Sequence, residues 1–325
     1  MSKFIGRRVN VGIGKETSRG TAVAAGFTIP KTNYTVDDKA NKARAGESFS
    51  NISGGGSQAI VTGRFAEGAI EGELNVNSFG LLLLATLGAS SVAAYATTAY
   101  KHTFTLANTN QHTTLTILCK DPIGDVAFKG CMIDTLEISI IQNDIVNFTA
   151  GIKGRKGNSW NWASPSYAID YKFVGRDVVF KVAADTTALA ASTAISLKTL
   201  KLKIDKNTDY DWVLGTLEPE DILNHQIMIT GELTLNYEDR TWRDYMLDGS
   251  VKAMGILLTN TRDNIGTLGN PAFYLELPIV DFSEWESKRD NDAIVSQTIK
   301  FTALFDITNS KLISNCYLQN TTTSY

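Results

Sequence analysis

The chain has 325 residues, which is more than most single hydrophobic cores organise, so we expect two domains. Apolar residues make up 43% and charged residues 20%, as in ordinary folded soluble proteins. The net charge is −3, from 31 Lys and Arg against 34 Asp and Glu, which excludes the basic excess of proteins that hold nucleic acid tightly. A protein that lets DNA pass without binding it is compatible with this balance.

Cysteine usage, the N-terminus and the apolar runs favour a soluble protein made and folded in the cytoplasm. Cys119, Cys131 and Cys316 are an odd set without CxxC spacing, which predicts free, mostly buried thiols in a reducing compartment. The N-terminal sequence MSKFIGRRVNVGIG lacks the long apolar core of a signal peptide. The strongly apolar run at 79–87 is far shorter than the roughly 20 residues of a membrane span.

In chain order, the first distinctive segments are a long polar stretch, a strand and a helix. Residues 31–58 are longer than the usual loop between two strands. They are predicted to form either a mobile surface loop or an arm that orders against a neighbouring subunit. Residues 70–77 alternate between apolar and polar side chains, which predicts a strand with one wet face. Asn77 or Ser78 is predicted to cap a helix that ends near Gly88. This helix is apolar almost all round, so we expect it to be buried on most sides, in part by a neighbouring subunit.

The rest of the chain is dominated by the same period of two, which is typical of antiparallel sheets with one face on a core and the other in water. Residues 157–172, which include Pro165, are predicted to link two halves. The predicted strands are 103–106, 113–119, 133–140, 145–152, 177–183, 200–205, 253–259, 272–277 and 297–305.

The second half repeats the first. ITGELTLNYEDRTWRDYMLDG (229–249) and IEGELNVNSFGLLLLATLG (70–88) share Ile-x-Gly-Glu-Leu-x-apolar-Asn, a short helical stretch and a closing glycine. In the second copy Asp239 is predicted to cap a helix with Trp242, Tyr245 and Met246 on one face. Residues 207–225 precede it as 31–58 precede the first copy, MIDTLEI (132–138) loosely matches IVDFSEW (279–285), and each copy ends in a Phe-Thr-Ala strand. We therefore predict an internal duplication, with units at 1–160 and 161–325.

No residues form a recognisable catalytic or metal site. His102, His112 and His225 lie outside any nucleophile motif and are predicted to be ordinary surface or strand histidines. GIGKETSRG (12–20) has the wrong glycine spacing for a phosphate loop. DKNTDYDW (205–212) lacks the turn glycine of a calcium loop, which leaves a solvated turn with at most a weak incidental cation. We predict no enzymatic activity, no cofactor and no metal.

Several segments together resemble the tail tube proteins of long-tailed bacteriophages. They are VGIGKETSRGTAVAAGFTIP (11–30), EGAIEGEL (67–74), LLLLATLGA (81–89), YKHTFTL (100–106), IDTLEIS (133–139) and ITGELTLNYED (229–239). The likeness covers most of the first half in matching order. It implies a mostly β protein of two tandem tail-tube-type antiparallel β-sandwich units, each with a short flanking helix and a long loop.

The resemblance also implies an assembly. Such proteins form stacked rings around a channel through which DNA is ejected, and they are located in the virion after synthesis in the host cytoplasm. Family rings are hexamers, or trimers when the fold is duplicated, so we expect a homotrimer with a pseudo-sixfold ring and keep a homohexamer as the alternative. The implied partners are further copies of the chain and the tape measure, terminator and distal tail proteins, with no membrane. The sequence does not distinguish a contractile from a non-contractile tail.

The wet faces supply candidates for the channel lining. Acidic and small polar side chains repel phosphates and keep DNA moving, whereas lysines would hold it. Lys201 and Lys203 therefore argue against their own strand facing the channel. The candidate lumen-facing residues are Glu71, Glu73, Glu137, Thr230, Glu232 and Thr234.

Two other classes of function stay open at this point. A carbohydrate-binding or adhesin-like double β-sandwich module is the alternative, because Trp160 and Trp162 would point the same way in an extended segment and Thr and Asn are abundant. A hydrolase on a β scaffold would need a catalytic pair that the sequence does not show. Oligomeric state separates the first class from a tube protein.

Overall fold

The structure, a computed structural model, describes residues 3–47, 56–168, 170–267 and 269–325. Strand residues, with isolated bridges, account for 52% of the described ranges, which also contain two short α-helices. The strand ladders within these ranges are antiparallel. The predicted fold class, mostly β with antiparallel sandwich packing, is confirmed. No helix in the described ranges is long and apolar enough to cross a membrane.

In the described ranges, the first half contains eleven strands and the more apolar of the two α-helices. A 3-10 turn at Gly6–Arg8 precedes the first strand. The elements are β1 (Asn10–Lys15), β2 (Phe27–Ile29), β3 (Lys31–Tyr34), β4 (Asp37–Arg44), β5 (Ala59–Glu73), α1 (Val76–Leu87), β6 (Gly88–Ala96), β7 (Ala99–Leu106), β8 (Leu115–Lys120), β9 (Asp125–Ile141), β10 (Asn147–Gly154) and β11 (Asn158–Trp160).

The second half begins with a similar 3-10 turn at Gly175–Asp177. Its elements are β12 (Val178–Ala183), β13 (Thr199–Asp205), β14 (Asp209–Asp211), β15 (Asp221–Leu223), β16 (Met228–Asn236), α2 (Thr241–Leu247), β17 (Lys252–Thr259), β18 (Ala272–Lys288), β19 (Ser296–Leu304) and β20 (Asn315–Asn320). The predicted strands are present in both halves. Outside the segments expected to be loops or a linker, the sequence missed β1, β2, β6, β20 and the first parts of β5 and β9, and its strand at 272–277 covers only the start of the 17-residue strand β18.

One long strand in each half belongs to both layers of its sandwich. The first part of β9 pairs with β8 and the second part pairs with β10. In the same way, β18 pairs first with β17 and then with β19. Irregularities in the ladders of both strands allow the bend that takes one strand from layer to layer. The ladder order is therefore β3-β5-β10-β9-β8-β1 in the first half and β13-β16-β19-β18-β17-β12 in the second.

The glycine of the repeated Gly-Glu-Leu motif makes room for a phenylalanine in both halves. Gly72 lies opposite Phe148, and Gly231 lies opposite Phe301. A Cβ atom on Gly231 would stand 2.4 Å from the Phe301 ring, and one on Gly72 would stand 3.2 Å from the Phe148 ring. Each phenylalanine begins one of the Phe-Thr-Ala stretches, so the two sequence motifs are parts of one packing arrangement.

The loose match between MIDTLEI and IVDFSEW is wrong by three residues. Thr149 pairs with Glu137, and its counterpart Thr302 pairs with Asp281. The structural counterpart of Glu137 is therefore Asp281, whereas the sequence match aligns Asp134 with Asp281. The bulge at Ser283 in β18 changes the period of the strand and disguises this correspondence.

The two halves are joined by two ladders and share one apolar core. The outer edge of β9 pairs with β13, from Ile141 opposite Thr199 to Thr135 opposite Asp205. The β6–β7 hairpin reaches into the second half, where β7 pairs with β20. Buried apolar residues of both halves form a single cluster.

Helix α1 is buried as predicted, but this chain buries it without the expected contribution of a neighbouring subunit, and its cap is not the predicted one. All twelve of its residues are buried within this chain. The N-cap residue is Asn75, which makes no side-chain cap bond, and neither Asn77 nor Ser78 caps the helix. Their backbone amides instead donate to the Asp170 carboxylate at 2.8 and 3.3 Å. Gly88 ends the helix in the left-handed region at φ 94°, as expected for a closing glycine.

Helix α2 follows the prediction more closely, although its N-cap residue is Arg240 and not Asp239. Asp239 accepts a 2.9 Å hydrogen bond from the amide of Thr241, the first helical residue. The side chain of Trp242 is buried, and Tyr245 and Met246 pack against the core. Gly249 lies just beyond the helix at φ 62°.

The segments expected to be loops are more ordered than predicted. Much of 31–58 forms β3 and β4, and β4 pairs with the first part of β5 as a solvent-exposed hairpin arm; residues 48–55 lie outside the described ranges. Within 207–225, β14 and β15 form a small hairpin that packs on β5, where the Tyr210 and Phe65 rings are 4.9 Å apart. The predicted linker 157–172 begins with β11 and follows the first half closely, since Trp162 donates its amide to Asp125 at 2.7 Å.

Candidate functional site

A polar face extends across both halves on one side of a continuous eight-strand sheet. The order of strands is β3, β5, β10, β9, β13, β16, β19 and β18, so each half supplies four. Alternation along each strand places apolar side chains on the core and polar ones on this face. We call this surface the polar face.

Residues opposite one another form rows across the polar face. The first row is Asn33, Glu71, Thr149, Glu137, Lys203, Thr230, Thr302 and Asp281. The second is Glu73, Asn147, Ser139, Lys201, Glu232, Lys300 and Glu284. The third is Ile141, Thr199, Thr234, Thr298 and Glu286.

The six predicted lumen-facing residues all lie on this face and are partly exposed. Glu71, Glu137 and Thr230 share the first row, although they come from three strands. Glu73 and Glu232 share the second row, and Thr234 lies in the third. The structure therefore brings together residues that are up to 163 positions apart in the chain.

Lys201 and Lys203, which argue against β13 facing the channel, lie on the same face as the six candidate residues. Lys203 lies between Glu137 and Thr230, and Lys201 lies between Ser139 and Glu232. The long-range pairing of β13 with β9 decides this placement, and the sequence of β13 alone cannot reveal it.

The lysines of the polar face stand beside carboxylates. Lys203 Nζ is 2.8 Å from Asp205, and Lys300 Nζ is 2.6 Å from Glu284. Burial raises the pKa of Asp205, but the hydrogen bond and charge of Lys203 outweigh it and leave this pKa below its ordinary value. The hydrogen bond and charge of Glu284 raise the pKa of Lys300. Both ion pairs thus favour the charged forms at neutral pH.

The polar face is acidic overall. In its three rows and at Asp205, it presents eight carboxylates against three lysines. The carboxylates are Glu71, Glu73, Glu137, Asp205, Glu232, Asp281, Glu284 and Glu286, and the lysines are Lys201, Lys203 and Lys300. Such a surface repels phosphates.

Sequence reasoning missed the contributions of β18 and β19 to this face. Asp281 and Glu284 lie on it because the bulge at Ser283 restores the alternation after one extra residue. Lys300 lies on it because Phe301 faces the core. The Phe-Thr-Ala repeat in the sequence could have revealed this. If Phe148 faces the core, its counterpart Phe301 is expected to face the core as well.

A second repeat was also missed. Lys3–Val9 reads KFIGRRV, and Lys172–Val178 reads KFVGRDV, so five of seven positions are identical. Each copy contains one of the two 3-10 turns. Phe173 is fully buried, whereas Phe4 is 43% exposed and Ile5 is 66% exposed. The first copy therefore leaves apolar surface uncovered in the single chain.

The sheet has one open edge at each end. Among the described residues, β3 pairs only with β5, and residues 281–288 of β18 pair only with β19. Open strand edges present unpaired backbone N–H and C=O groups and are sites for adding another strand.

The tryptophan pair does not form an open stacking platform. Trp162 packs over Gly12, where a Cβ atom would be 2.7 Å from its ring, and both tryptophans are partly buried. The observation that favoured a carbohydrate-binding module therefore has another structural explanation, which is packing of the linker on β1.

The histidines and the N-terminal glycine loop have structural roles. His102 and His112 are buried, and both ring nitrogens of His112 lie 3.0 Å from backbone carbonyl oxygens. Glu16 is buried and accepts hydrogen bonds from Thr114, Thr116 and two backbone amides. Within the described ranges, no group of three or more His, Cys, Asp or Glu side chains could hold a metal ion.

Comparison with known proteins gives one family. A family model described as Phage tail tube protein matches residues 6–303, which is nearly the whole chain. A search of curated proteins found no match.

Proposed function

The chain belongs to the phage tail tube protein family and is a structural component of the virion tail, and from this premise we propose how it works. It self-assembles into rings that stack into the tail tube, and the bore of the tube is the path of DNA during ejection. Further copies of the chain are its first partners, and the tape measure, terminator and distal tail proteins meet the finished tube. The role is structural, without catalysis.

The observation that carries this proposal is the continuous polar face of eight strands. Three chains would supply 24 such strands. At ~4.8 Å between strands and a tilt of ~40°, their closed sheet has a circumference of ~150 Å and a backbone diameter of ~48 Å. Side chains reduce this by ~10 Å, and duplex DNA, about 20 Å wide, passes through the remaining space.

The charge of the polar face suits a channel that must not hold its cargo. We assign Glu71, Glu73, Glu137, Thr230, Glu232 and Thr234 to the lumen, together with the acidic residues of β18. Carboxylates and small hydroxyls form few attractive contacts with phosphate, and the lysines beside them are largely neutralised. DNA would thus move past the wall without releasing its counterions.

Internal duplication explains how one chain supplies two units of the ring. The two halves have the same ladder order, the same glycine–phenylalanine packing and the same KF-x-GR segment. This repeat supports a second unit that begins at Lys172, somewhat after the predicted boundary between 160 and 161. Three chains would then make a pseudo-sixfold ring.

Negative-stain electron microscopy of the purified protein, across a concentration series, tests the proposal. We expect hollow rings or tubes with a bore wider than duplex DNA and threefold symmetry in end-on views. Small monomeric particles at every concentration, also after addition of preformed tail tips as initiators, would contradict it. Rings of six chains would leave the tube role in place and overturn the trimer.

A further inference from the structure

The junction between the two halves shows how one unit binds the next. The outer edge of β9 pairs with β13, and in this ladder Glu137 lies opposite Lys203 and Ile138 opposite Leu202. Next to the ladder, Phe173 is fully buried, and its carbonyl accepts a 3.0 Å hydrogen bond from the amide of Val146. One unit thus supplies a strand edge, and the other supplies a strand and a KF-x-GR segment.

Both parts of this junction recur toward the two ends of the chain, where they have no partner among the described residues. The second unit has the open edge of β18 at residues 281–288, and the first unit has the open edge of β3. The first unit also has the exposed segment Lys3–Val9. A head-to-tail contact of this kind uses two different surfaces, so it leads to a closed ring when the rotation closes.

The internal ladders fix the register of the missing contact. Because Gly72 corresponds to Gly231, the strand residues that pair beside them correspond as well: Asn33 is opposite Glu71, and Lys203 is opposite Thr230. Asn33 is therefore the counterpart of Lys203. On the other side, Asp281 is the counterpart of Glu137, as shown by the pairs with Thr302 and Thr149.

The charges at the two open edges are complementary. Asp281, Glu284 and Glu286 lie along the edge of β18. At the other edge, Lys31 donates a 3.2 Å hydrogen bond to the Gly6 carbonyl, which holds the 3-10 turn with the exposed Arg7 and Arg8 beside β3. An acidic edge and a basic edge attract each other and disfavour contacts between like edges.

We propose that a second copy of this chain adds its β3 to the open edge of β18, with Asn33 opposite Asp281, and covers Phe4 and Ile5. This inference rests on the proposed function and supplies the residues by which the ring closes. The polar face then continues from Asp281 of one chain to Asn33 of the next, in the same row as Glu71 and Glu137. The strand pairing between chains repeats the strand pairing of the junction within the chain.

The place where the KF-x-GR segment binds differs between the first unit and the second. Within the chain, Lys172 and Val174 lie between Asn75 and Ile145, which do not pair with each other. In the second unit the β16–β19 ladder extends to the pair Asn236–Ser296, so the two strands leave no space between them for such a segment. Phe4 therefore packs on the outside of this ladder, near the turn between β18 and β19, where Ile294 is 76% exposed.

Paired cysteine substitutions test the register. Asn33→Cys together with Asp281→Cys is expected to give disulfide-linked dimers and trimers on mild oxidation of assembled protein, since opposed residues on neighbouring strands have Cβ atoms about 4.5–5.5 Å apart. Glu137→Cys with Lys203→Cys is the matched internal control and links within one chain. Asn33→Cys with Glu286→Cys lies on the same face but off register and is expected to link at least tenfold more slowly. The three native cysteines are buried.

The outcomes separate this inference from the proposed function. Rings that form while Asn33 and Asp281 do not link, with the internal control linked, would overturn the inference and leave the tube role in place. A faster link at Glu286 would overturn the register. Absence of any ring for the wild-type protein would overturn the proposed function.

A second measurement addresses the exposed segment. Phe4→Ser is expected to raise the concentration needed for ring formation by about tenfold, because the contact between chains would remove the exposed part of this apolar side chain from water. The unfolding midpoint of the monomer should change much less, since Phe4 is 43% exposed there. Leu214→Ser, at a fully exposed leucine away from both edges, is the control. An equal effect of the two substitutions would contradict the covering of Phe4.

Discussion

At the scale of single residues, buried polar groups hold the first half together. The Glu16 carboxylate accepts four hydrogen bonds from strands and turns around it, at 2.7 to 2.9 Å. Lys206 is fully buried, and its ammonium group donates a 2.9 Å hydrogen bond to the Ala85 carbonyl near the C-terminus of α1. A cation at that end of a helix meets the negative end of the helix dipole.

The substitution Glu16→Gln is expected to lower the free energy of unfolding by about 2–3 kcal/mol. Glutamine has one acceptor oxygen, and its amide group would face the donor at Gly130 or at Gly20, which leaves buried donors without partners. Urea titration measures the change. Glu238→Gln, at an exposed position, is the control and should alter the value by less than about 0.5 kcal/mol.

Lys206 gives stability a defined pH dependence. Burial, assisted by the charge of Arg19 and opposed by Asp134, lowers the pKa of Lys206 from 10.5 to about 7. Between these values the unfolded chain binds a proton that the folded chain does not, so this group makes stability rise with pH from about 7 to 10. In urea titrations over this pH range, the free energy of unfolding of the wild type should rise relative to that of Lys206→Met by up to about 1.4 kcal/mol per pH unit. Equal slopes for both proteins would contradict the lowered pKa; Lys39→Met, at an exposed lysine, should retain the wild-type slope.

At the scale of elements, helix α1 depends on a residue far away in the sequence. Asp170, in the segment between the halves, accepts hydrogen bonds from the backbone amides of Asn77 and Ser78. Burial raises the pKa of this carboxylate, while the hydrogen bonds from these amides oppose the rise. The connection between the halves thereby fixes the start of the helix that fills the core.

Removal of this cap should weaken the helix without affecting its packing. Asp170→Ala is expected to lower the free energy of unfolding by about 1 kcal/mol, because two helix N–H groups lose their acceptor. Asp170→Asn keeps one acceptor oxygen and should retain most of the stability. Equilibrium urea unfolding of both variants distinguishes the outcomes, and an equal loss in Asn and Ala would show that the charge, not the acceptor, is what matters.

At the scale of the whole molecule, pairing across the two halves creates a surface that neither half has alone. The ladder between β9 and β13 aligns Glu71, Glu137 and Thr230 in one row. The same ladder brings the lysines of β13 into that surface beside carboxylates. The net acidic character of the polar face is thus a property of the assembled sheet.

Charge reversal on this face should turn a non-binding wall into a binding one. Tubes of the variant Glu71→Lys with Glu137→Lys are expected to retain duplex DNA fragments at low salt and to release them as salt rises, because lysines displace counterions from phosphate. Glu47→Lys with Glu238→Lys makes the same change in charge at exposed positions outside the polar face. Retention is measured by co-sedimentation of DNA with tubes. Equal retention by both variants would contradict the assignment of the lumen.

Local features followed from the amino-acid sequence. Period-two alternation located most strands and the solvent-facing side of β5, β9 and β16. The apolar run at 79–87 predicted the burial of α1. Both patterns could be recognised because they depend on neighbouring residues alone. Family membership also followed from ordered local motifs. Only the tertiary structure decided that β13 lies beside β9, that Asp170 caps α1, that β7 crosses to β20 and that Asp281 corresponds to Glu137. These features depend on the register between strands far apart in the chain, where a shift of one residue, such as the bulge at Ser283, exchanges the two faces.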